Sequence, residues 1–132
     1  MKQDEKRHAM TDVAPEPIFQ IASCFSAARH LFAANEVGLF EQLADRPATL
    51  DELSGRTGIT RSRLRILADA MVVLGFVERR GNLYQNAPIA ANFLIDQSPA
   101  DCRQYLRFWN RLSYQLLLID WFQEHRQRAG ES

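Results

Sequence analysis

The side chains that most often carry out chemistry are few and scattered in this sequence. None of the three histidines (His8, His30 and His125) stands at a metal-ligand spacing from a cysteine or a carboxylate. Cys24 and Cys102 have no neighbour suited to activate a thiol, so we expect small buried side chains rather than nucleophiles. No glycine-rich phosphate loop and no Gly-x-Ser-x-Gly motif occurs. The residues therefore predict no catalytic, metal-binding or cofactor-binding site in this chain.

An aromatic cluster near the C-terminus is the best candidate for binding a small molecule. Tyr105, Phe108, Trp109 and Leu112 stand at i, i+3, i+4 and i+7, and therefore on one face of a helix. Such a face more often fills a core or an interface, but it can also line a pocket for a flat ligand. The stretch 105–122 is apolar almost all round, so we expect other protein to cover it. The spacing by itself leaves a core, an interface or a pocket wall open for these four residues.

A cluster of arginines could instead contact nucleic acid. Arg61, Arg63 and Arg65 begin one predicted helix, and Arg79 and Arg80 lie on a predicted hairpin. Contacts with phosphate dominate the affinity of DNA-binding proteins. Carboxylates stand in or beside the same elements, namely Asp51, Glu52, Asp69 and Glu78. Arg65 can pair with Asp69, which stands four residues later on the same helix. A solvated arginine face is therefore the preferred interpretation.

The composition sets the broad class of protein. The 132 residues include 46% hydrophobic residues, enough for one hydrophobic core. The 16 Lys+Arg balance the 16 Asp+Glu, so the protein has no overall basic charge. The longest apolar run, Leu116 to Ile119, is far shorter than the roughly 20 residues that cross a bilayer. No apolar stretch follows the charged segment Met1 to Arg7, so no secretion signal is visible. We expect a cytoplasmic protein without membrane partners, and the neutral overall charge disfavours nucleic acid as a partner without excluding a local basic patch.

The N-terminal part of the chain predicts a long helix after a disordered arm. Residues 1–14 are polar and patternless. Pro15 and Pro17 mark the helix start, because proline is tolerated in the first turn. The apolar residues from Ile18 to Phe32 form a stripe wider than a monomeric surface helix needs. We expect this stripe to be buried on two sides, in a core or between subunits.

A short helix is predicted next. Thr49 stands three residues before Glu52, which is the spacing of a capping box. We expect the helix to end at Ser54, with Gly55 and Gly58 in the following turn.

A second helix and a hairpin complete a recognisable unit. The helix is expected from Arg61 to about Leu74, followed by strands at 76–80 and 83–85 around a Gly81-Asn82 turn. Helix, turn, helix and hairpin make a winged helix-turn-helix. The predicted fold is therefore mainly α, with a small β-hairpin wing and flanking dimerisation helices.

The C-terminal part predicts two more helices and a tail. Ile89 to Leu94 suggests a short helix, and Ser98 is expected to cap the last one, with Pro99 at its first position. The residues 123–132 are polar and are interpreted as a tail or linker. The expected domain is thus 15–122, between a disordered arm and this tail.

Taken in order, these segments resemble the N-terminal region of S-adenosylmethionine-dependent O-methyltransferases of the plant and polyketide-tailoring type. The resemblance covers roughly residues 17–115, and it is the ordered set of segments that is specific. The matching segments are the helix Ile18 to Ala34, Asn35 to Phe40, Thr49 to Leu53, Thr57 to Ile59, Leu64 to Leu67, Leu74 to Val77, and the aromatic helix with Phe108, Trp109 and Leu112.

The resemblance implies a winged-helix dimerisation domain that precedes a Rossmann-like catalytic domain. It implies a homodimer and a small aromatic acceptor, near which the helix with Trp109 would pack. The candidate substrate-binding residues that the resemblance implies are Tyr105, Phe108, Trp109 and Leu112. S-adenosylmethionine would bind a catalytic domain in the same or another chain. The family's glycine-rich cofactor loop, acidic ribose-binding residue and catalytic histidine have no counterpart in these 132 residues.

Three functions stay open at this point. The preferred one is a non-catalytic domain of, or derived from, a small-molecule O-methyltransferase of secondary metabolism, which builds the dimer and walls the acceptor pocket. The second is a winged-helix DNA-binding regulator. The third is a stand-alone module that binds an aromatic metabolite or a partner subunit. Whether the chain is a fragment or a natural stand-alone domain is also left open, as is the identity of the acceptor.

Overall fold

The computed structural model describes residues 13–96 and 98–130, which form a winged-helix body between two long helices. In chain order the elements are α1 (Glu16–Glu36), α2 (Leu39–Gln42), α3 (Leu50–Thr57), α4 (Arg61–Leu74), β1 (Val77–Arg80), β2 (Leu83–Asn86), α5 (Pro88–Phe93) and α6 (Arg103–Gly130). The prediction of a mainly helical winged helix-turn-helix with a small hairpin is confirmed. Most of the predicted N-terminal arm, residues 1–12, lies outside the described residues. Within the described part of the chain, no helix is long and apolar enough to cross a membrane.

Helix α1 begins where the two prolines predict. The carbonyl of Pro15 accepts the backbone N–H of Ile18 at 3.0 Å, and Pro17 stands in the first turn, where its missing N–H leaves no helical bond unmade. The helix ends at Glu36, since Gly38 takes a left-handed φ of 74° and starts the next helix. Fully buried residues occur only at the C-terminal end of α1. Most of this helix therefore does not belong to the core.

Helix α3 has the predicted N-cap but a later end. The hydroxyl of Thr49 accepts the backbone N–H of Glu52 at 3.2 Å. The predicted end at Ser54 is wrong, because the helix continues for another turn and Gly55 lies inside it. Gly58 ends it with a left-handed φ of 74°, and its N–H donates to the carbonyl of Ser54 at 2.9 Å. The second glycine, not the first, is the helix stop.

The wing is the predicted two-residue hairpin. Val77 pairs with Asn86 and Arg80 pairs with Leu83 in antiparallel register. Gly81 has a φ of 62°, and none of the non-glycine residues in the described ranges has a positive φ. The turn therefore uses the conformational freedom of its glycine alone.

One backbone bridge was not predicted. Ala48, just before α3, exchanges two hydrogen bonds with Tyr84 of β2, at 2.9 and 2.8 Å. This bridge fastens the wing to the start of α3. A single bridged residue leaves no periodic pattern in a sequence, so nothing in the hydrophobic spacing indicated it.

The core lies between helices α2 to α5, the wing and the C-terminal end of α1. Its buried residues are Ala34, Leu39, Phe40, Leu43, Ala48, Leu50, Leu53, Leu64, Ala68, Met71, Val77, Tyr84, Ala90 and Leu94. At the base of the wing, the side-chain amide of Asn86 donates to the backbone carbonyl of Phe40 at 2.9 Å. The hairpin is thus held to the helices by hydrogen bonds as well as by apolar packing.

The last helix begins later than predicted. Ser98 does not cap it, because residues 98–102 are not helical and α6 begins at Arg103. The carboxylate of Asp101 accepts the backbone N–H of Arg103 at 3.0 Å and so satisfies a donor of the first turn. The hydroxyl of Ser98 donates instead to the carbonyl of Asn92.

Helix α6 continues through Gly130 without a break at residue 123, where the sequence suggested the start of a polar tail. The side chains described between Trp121 and Arg126 are exposed, whereas the side chains of 116–120 lie outside the described part of the structure. The division of the chain at residue 122 stays a prediction.

Candidate functional site

The four residues predicted to bind substrate lie together on α6. The rings of Tyr105 and Phe108 both meet the ring of Trp109 edge to face, with centroids 6.1 and 5.7 Å apart. Tyr105 and Phe108 are exposed, Trp109 is 44% exposed, and Leu112 is partly buried. The single chain therefore brings these residues together at its surface rather than in its core. Their role in binding a ligand stays a prediction.

Arg103 begins the helix that carries this aromatic face, and sequence reasoning missed it. Its guanidinium contacts Asp101 at 2.8 Å, Asp96 at 2.9 Å and Glu41 of α2. The Arg103 side chain is only 16% exposed. Three carboxylates thus converge on one cation, one from α2 and two from the connection between α5 and α6, which ties the start of α6 to the body. The signal available in the sequence was the pair Asp96 and Asp101, which precede Arg103 by 7 and 2 positions.

The contact between Asp101 and Arg103 favours the charged form of both groups. Hydrogen bonds from Arg103 hold the pKa of the Asp101 carboxyl below its ordinary value. The hydrogen bond with Asp101, aided by the charge of Glu41, raises the pKa of the Arg103 guanidinium against the opposing effect of burial. The pair of Asp101 and Arg103 is therefore held in its charged form, and it attaches the start of α6 electrostatically.

Polar contacts hold α6 against the C-terminal half of α1. The buried amide of Asn35 donates to the backbone carbonyl of Arg103 at 3.3 Å. Arg29 donates to the side-chain oxygen of Asn110 at 3.4 Å, and its guanidinium lies 5.3 Å from the ring centre of Tyr114. These contacts fix the first three turns of α6 relative to the body.

The N-terminal half of α1 has no such cover. Every residue in the range 16–26 is exposed. Ile21 and Phe25 are 74% and 61% exposed, although the sequence predicts burial on two sides. The single chain supplies neither side, and we call this surface, residues 16–26, the uncovered half of α1.

The arginines of the winged-helix face are paired with carboxylates. Arg61 lies 3.2 Å from Asp51, while Arg65 and Arg79 lie 3.7 and 3.5 Å from Asp69. The predicted i, i+4 pair on α4 is thus present. A DNA-binding face presents its cations to the phosphates along one surface, and here internal carboxylates compete for them.

Two further observations concern this face. The hydroxyl of the buried Tyr84 donates to Asp69 at 2.7 Å, and burial together with this bond raises the pKa of Tyr84. Arg63 lines a different groove, between α1 and α4, together with Arg29 and His30. The arginines predicted as phosphate contacts are therefore divided between two sides of the domain.

The remaining candidates for chemistry behave in different ways. His30 is partly buried and its Nδ1 lies 2.7 Å from the carbonyl of Ser26, as expected for a satisfied side chain. The expectation that Cys24 and Cys102 are buried is wrong, since both are exposed. Cys24 lies on the uncovered half of α1, and Cys102 lies in the turn before α6. His8 is outside the described residues.

Comparison with protein families supplies the deciding observation. The model of the O-methyltransferase dimerisation domain matches residues 19–96, more than half of the chain. This chain belongs to that family. The match runs from α1 to the end of α5, so the dimerisation domain proper contains the winged-helix body, and α6 follows it.

Curated relatives of this dimerisation domain are methyltransferases. The tetracenomycin polyketide synthesis 8-O-methyl transferase TcmO of Streptomyces glaucescens is 38% identical over 94 residues, which cover 70% of this chain and 28% of that protein. The N,N-dimethyltransferase OxyT of Streptomyces rimosus is 37% identical over 78 residues, covering 59% and 23%. Human acetylserotonin O-methyltransferase is 33% identical over 99 residues, covering 70% and 29%. The chain spans less than a third of the length of each of these relatives.

Solved structures show the same fold. Human N-acetylserotonin methyltransferase in complex with SAM aligns with a TM-score of 0.68 at 28% identity, covering 75% of this chain and 30% of that one. PigF with SAH aligns with a TM-score of 0.71 at 24% identity, covering 77% and 30%, a likeness that concerns the fold alone.

Proposed function

We propose that the domain forms a homodimer through the uncovered half of α1 and through α6. The observation that carries this proposal is the run of exposed residues in the range 16–26, which includes Ile18, Phe19, Ile21 and Phe25. Most of the stability of a helix in a protein comes from packing its apolar face. An exposed apolar surface of this extent is typical of an interface.

Helix α6 supplies the second part of the proposed interface. Trp121 and Phe122 are exposed and pack on each other edge to face, with ring centroids 5.1 Å apart. The contacts with α1 described above all lie earlier, between Arg103 and Tyr114. A second copy related by a two-fold axis would cover α1 and α6 of both chains with one self-complementary surface.

We propose further that Tyr105, Phe108, Trp109 and Leu112 line the acceptor pocket of a methyltransferase whose catalytic unit lies in the same or another chain. Their surface position supports this, because a pocket wall must face its ligand. The names of the relatives specify O-methyl transfer in polyketide synthesis and on acetylserotonin. A small aromatic acceptor is the substrate class that a face of aromatic rings fits.

S-adenosylmethionine would bind that catalytic unit rather than this domain. Pockets for ligands of this size enclose about 300–1,000 Å³. The cavity between the wing and helices α3 and α4 measures about 190 Å³, less than the grooves of about 350 and 410 Å³ elsewhere on the described chain, and is lined by Arg61, Arg65 and Arg79. These guanidinium groups would repel the sulfonium and ammonium groups of the cofactor. The residues of this cavity do not fit it, and we derive no catalytic step from this domain.

Sedimentation of the full chain at low micromolar concentration tests the dimer. We expect a dimer for the native sequence and a monomer for Phe25→Glu, because the variant places a charge in the proposed interface. Leu83→Glu makes the same change at an exposed residue of the wing and should remain a dimer. A native chain that stays monomeric, or a dimer that tolerates Phe25→Glu, contradicts the proposal.

A further inference from the structure

We propose that the cavity between the wing, α3 and α4 binds a phosphate group carried by a small molecule. We call it the arginine cavity. Its volume is about 190 Å³, and the lining residues that matter here are Thr49, Asp51, Arg61, Arg65, Arg79 and Asn82. The proposal is independent of the dimer and of the acceptor pocket, since none of these residues belongs to either surface.

The guanidinium groups offer more donors than their described contacts use. Each carries five N–H groups in a planar fork that matches the oxygens of phosphate. Arg61 lies 3.2 Å from Asp51, whereas the pairs of Arg65 and Arg79 with Asp69, at 3.7 and 3.5 Å, are longer than hydrogen bonds. The Nε of Arg79 donates to the carbonyl of Gly81 at 2.8 Å, which orients this guanidinium. Donors thus remain available for an anion that enters the cavity.

The charges and neutral donors of the cavity also favour an anion. Three guanidinium groups face two carboxylates, Asp51 and Asp69, so one positive charge is left over. Thr49 accepts the N–H of Glu52 through its oxygen, which leaves its own O–H to donate. The amide of Asn82 adds further donors at the rim.

A small phosphorylated molecule fits these observations better than the backbone of a nucleic acid. The cavity is recessed between three elements, whereas a duplex needs cations spread along one surface. Arg63, which would extend such a surface, lines the groove between α1 and α4 instead. If a small phosphorylated molecule binds, substitutions of Arg61 and Arg79 should weaken binding. If a nucleic acid binds, substitutions of Arg63 and Arg80 should weaken it.

The test is a titration of the full chain with inorganic phosphate in chloride buffer at constant ionic strength, followed by NMR of the arginine side-chain N–H signals. We expect saturable shifts, and an affinity about tenfold lower in the double variant Arg61→Gln/Arg79→Gln, because charge-assisted hydrogen bonds are lost. The double variant Arg63→Gln/Arg80→Gln removes the same charge outside the cavity and should change the affinity less than about twofold.

A third variant should change the phosphate affinity in the opposite direction. Asp51→Asn removes a carboxylate that competes for Arg61, so phosphate should bind more tightly. Equal losses in the two arginine pairs, or weaker binding in Asp51→Asn, would overturn the proposal. Binding of random duplex DNA that falls steeply with salt and is lost in Arg63→Gln/Arg80→Gln would overturn it in favour of nucleic acid. If the cavity pair fails to fold by circular dichroism, Asp51→Asn decides.

Discussion

At the scale of single residues, Arg103 determines where α6 sits. Its largely buried guanidinium compensates Glu41, Asp96 and Asp101, so removing it leaves three carboxylates close together. We expect Arg103→Gln to lower the free energy of unfolding by about 2–4 kcal/mol in urea denaturation. Arg107→Gln is the control, because Arg107 is more exposed and lies 3.9 Å from its partner Glu36. Arg107→Gln should lower the free energy of unfolding by less than about 1 kcal/mol. Similar decreases in the two variants would contradict this role of Arg103.

The same cluster predicts how stability depends on pH. The pKa of Asp101 is lowered in the folded chain from its ordinary value of 3.8, with the hydrogen bond from Arg103 as the main cause. The ionised carboxylate therefore stabilises the fold above this value, and the contribution is lost as the pH falls through the folded pKa. Thermal melts from pH 6 downward should show a loss of stability below about pH 4 that is shallower in Arg103→Gln. Parallel profiles would show that the bond has no such effect.

Trp109 distinguishes a pocket wall from a core residue. Because its side chain is 44% exposed, Trp109→Ala should lower the free energy of unfolding by less than about 1.5 kcal/mol. Phe40→Ala, at a fully buried ring, should lower the free energy of unfolding by about 3–5 kcal/mol. Thermal melts of both variants measure the difference. A comparable loss for Trp109→Ala would mean that this ring supports the fold, and Trp109 would no longer be a candidate site residue.

At the scale of elements, two threonines before helices α3 and α4 form a matched pair. The hydroxyl of Thr49 accepts the N–H of Glu52, whereas Thr60 makes no side-chain cap bond to its helix. Thr49→Ala should therefore cost about 0.5–2 kcal/mol, and Thr60→Ala less than about 0.5 kcal/mol. Urea denaturation of both variants measures the difference. Equal costs would show that the Thr49 bond contributes nothing.

The same elements show which features a sequence reveals. Gly58 after α3 and Gly81 in the wing take a positive φ where a turn was predicted, because glycine adopts this conformation readily, whereas Gly55 lies inside α3 and does not end it. The bridge between Ala48 and Tyr84 joins residues far apart in the chain, and no local pattern reports it. The predicted helix start at Ser98 was wrong because Asp101, three residues later, satisfies the first turn instead.

In the candidate site too, the sequence predicts what depends on local spacing and misses what depends on packing. Helical spacing correctly places Tyr105, Phe108 and Trp109 on one face, but only packing decides whether that face is core or surface. The arginines of α4 are close in sequence, yet the helix directs Arg61 and Arg63 to different sides. The exposure of Cys24 was missed because that prediction rested on the absence of an activating neighbour, which says nothing about how α1 packs.

At the scale of the whole molecule, the proposed dimer would couple folding to association. If a second chain covers this surface, unfolding and dissociation occur together, and mass action makes the stability depend on concentration. We expect the midpoint of thermal unfolding to rise steadily as the chain concentration increases about a hundredfold, and Phe25→Glu to abolish this rise. The effect does not require a substrate or a catalytic unit. Leu83→Glu should keep the dependence, because the wing lies away from the proposed interface. A midpoint that is independent of concentration in the native chain would mean that each copy folds alone, with the apolar residues of α1 left in water.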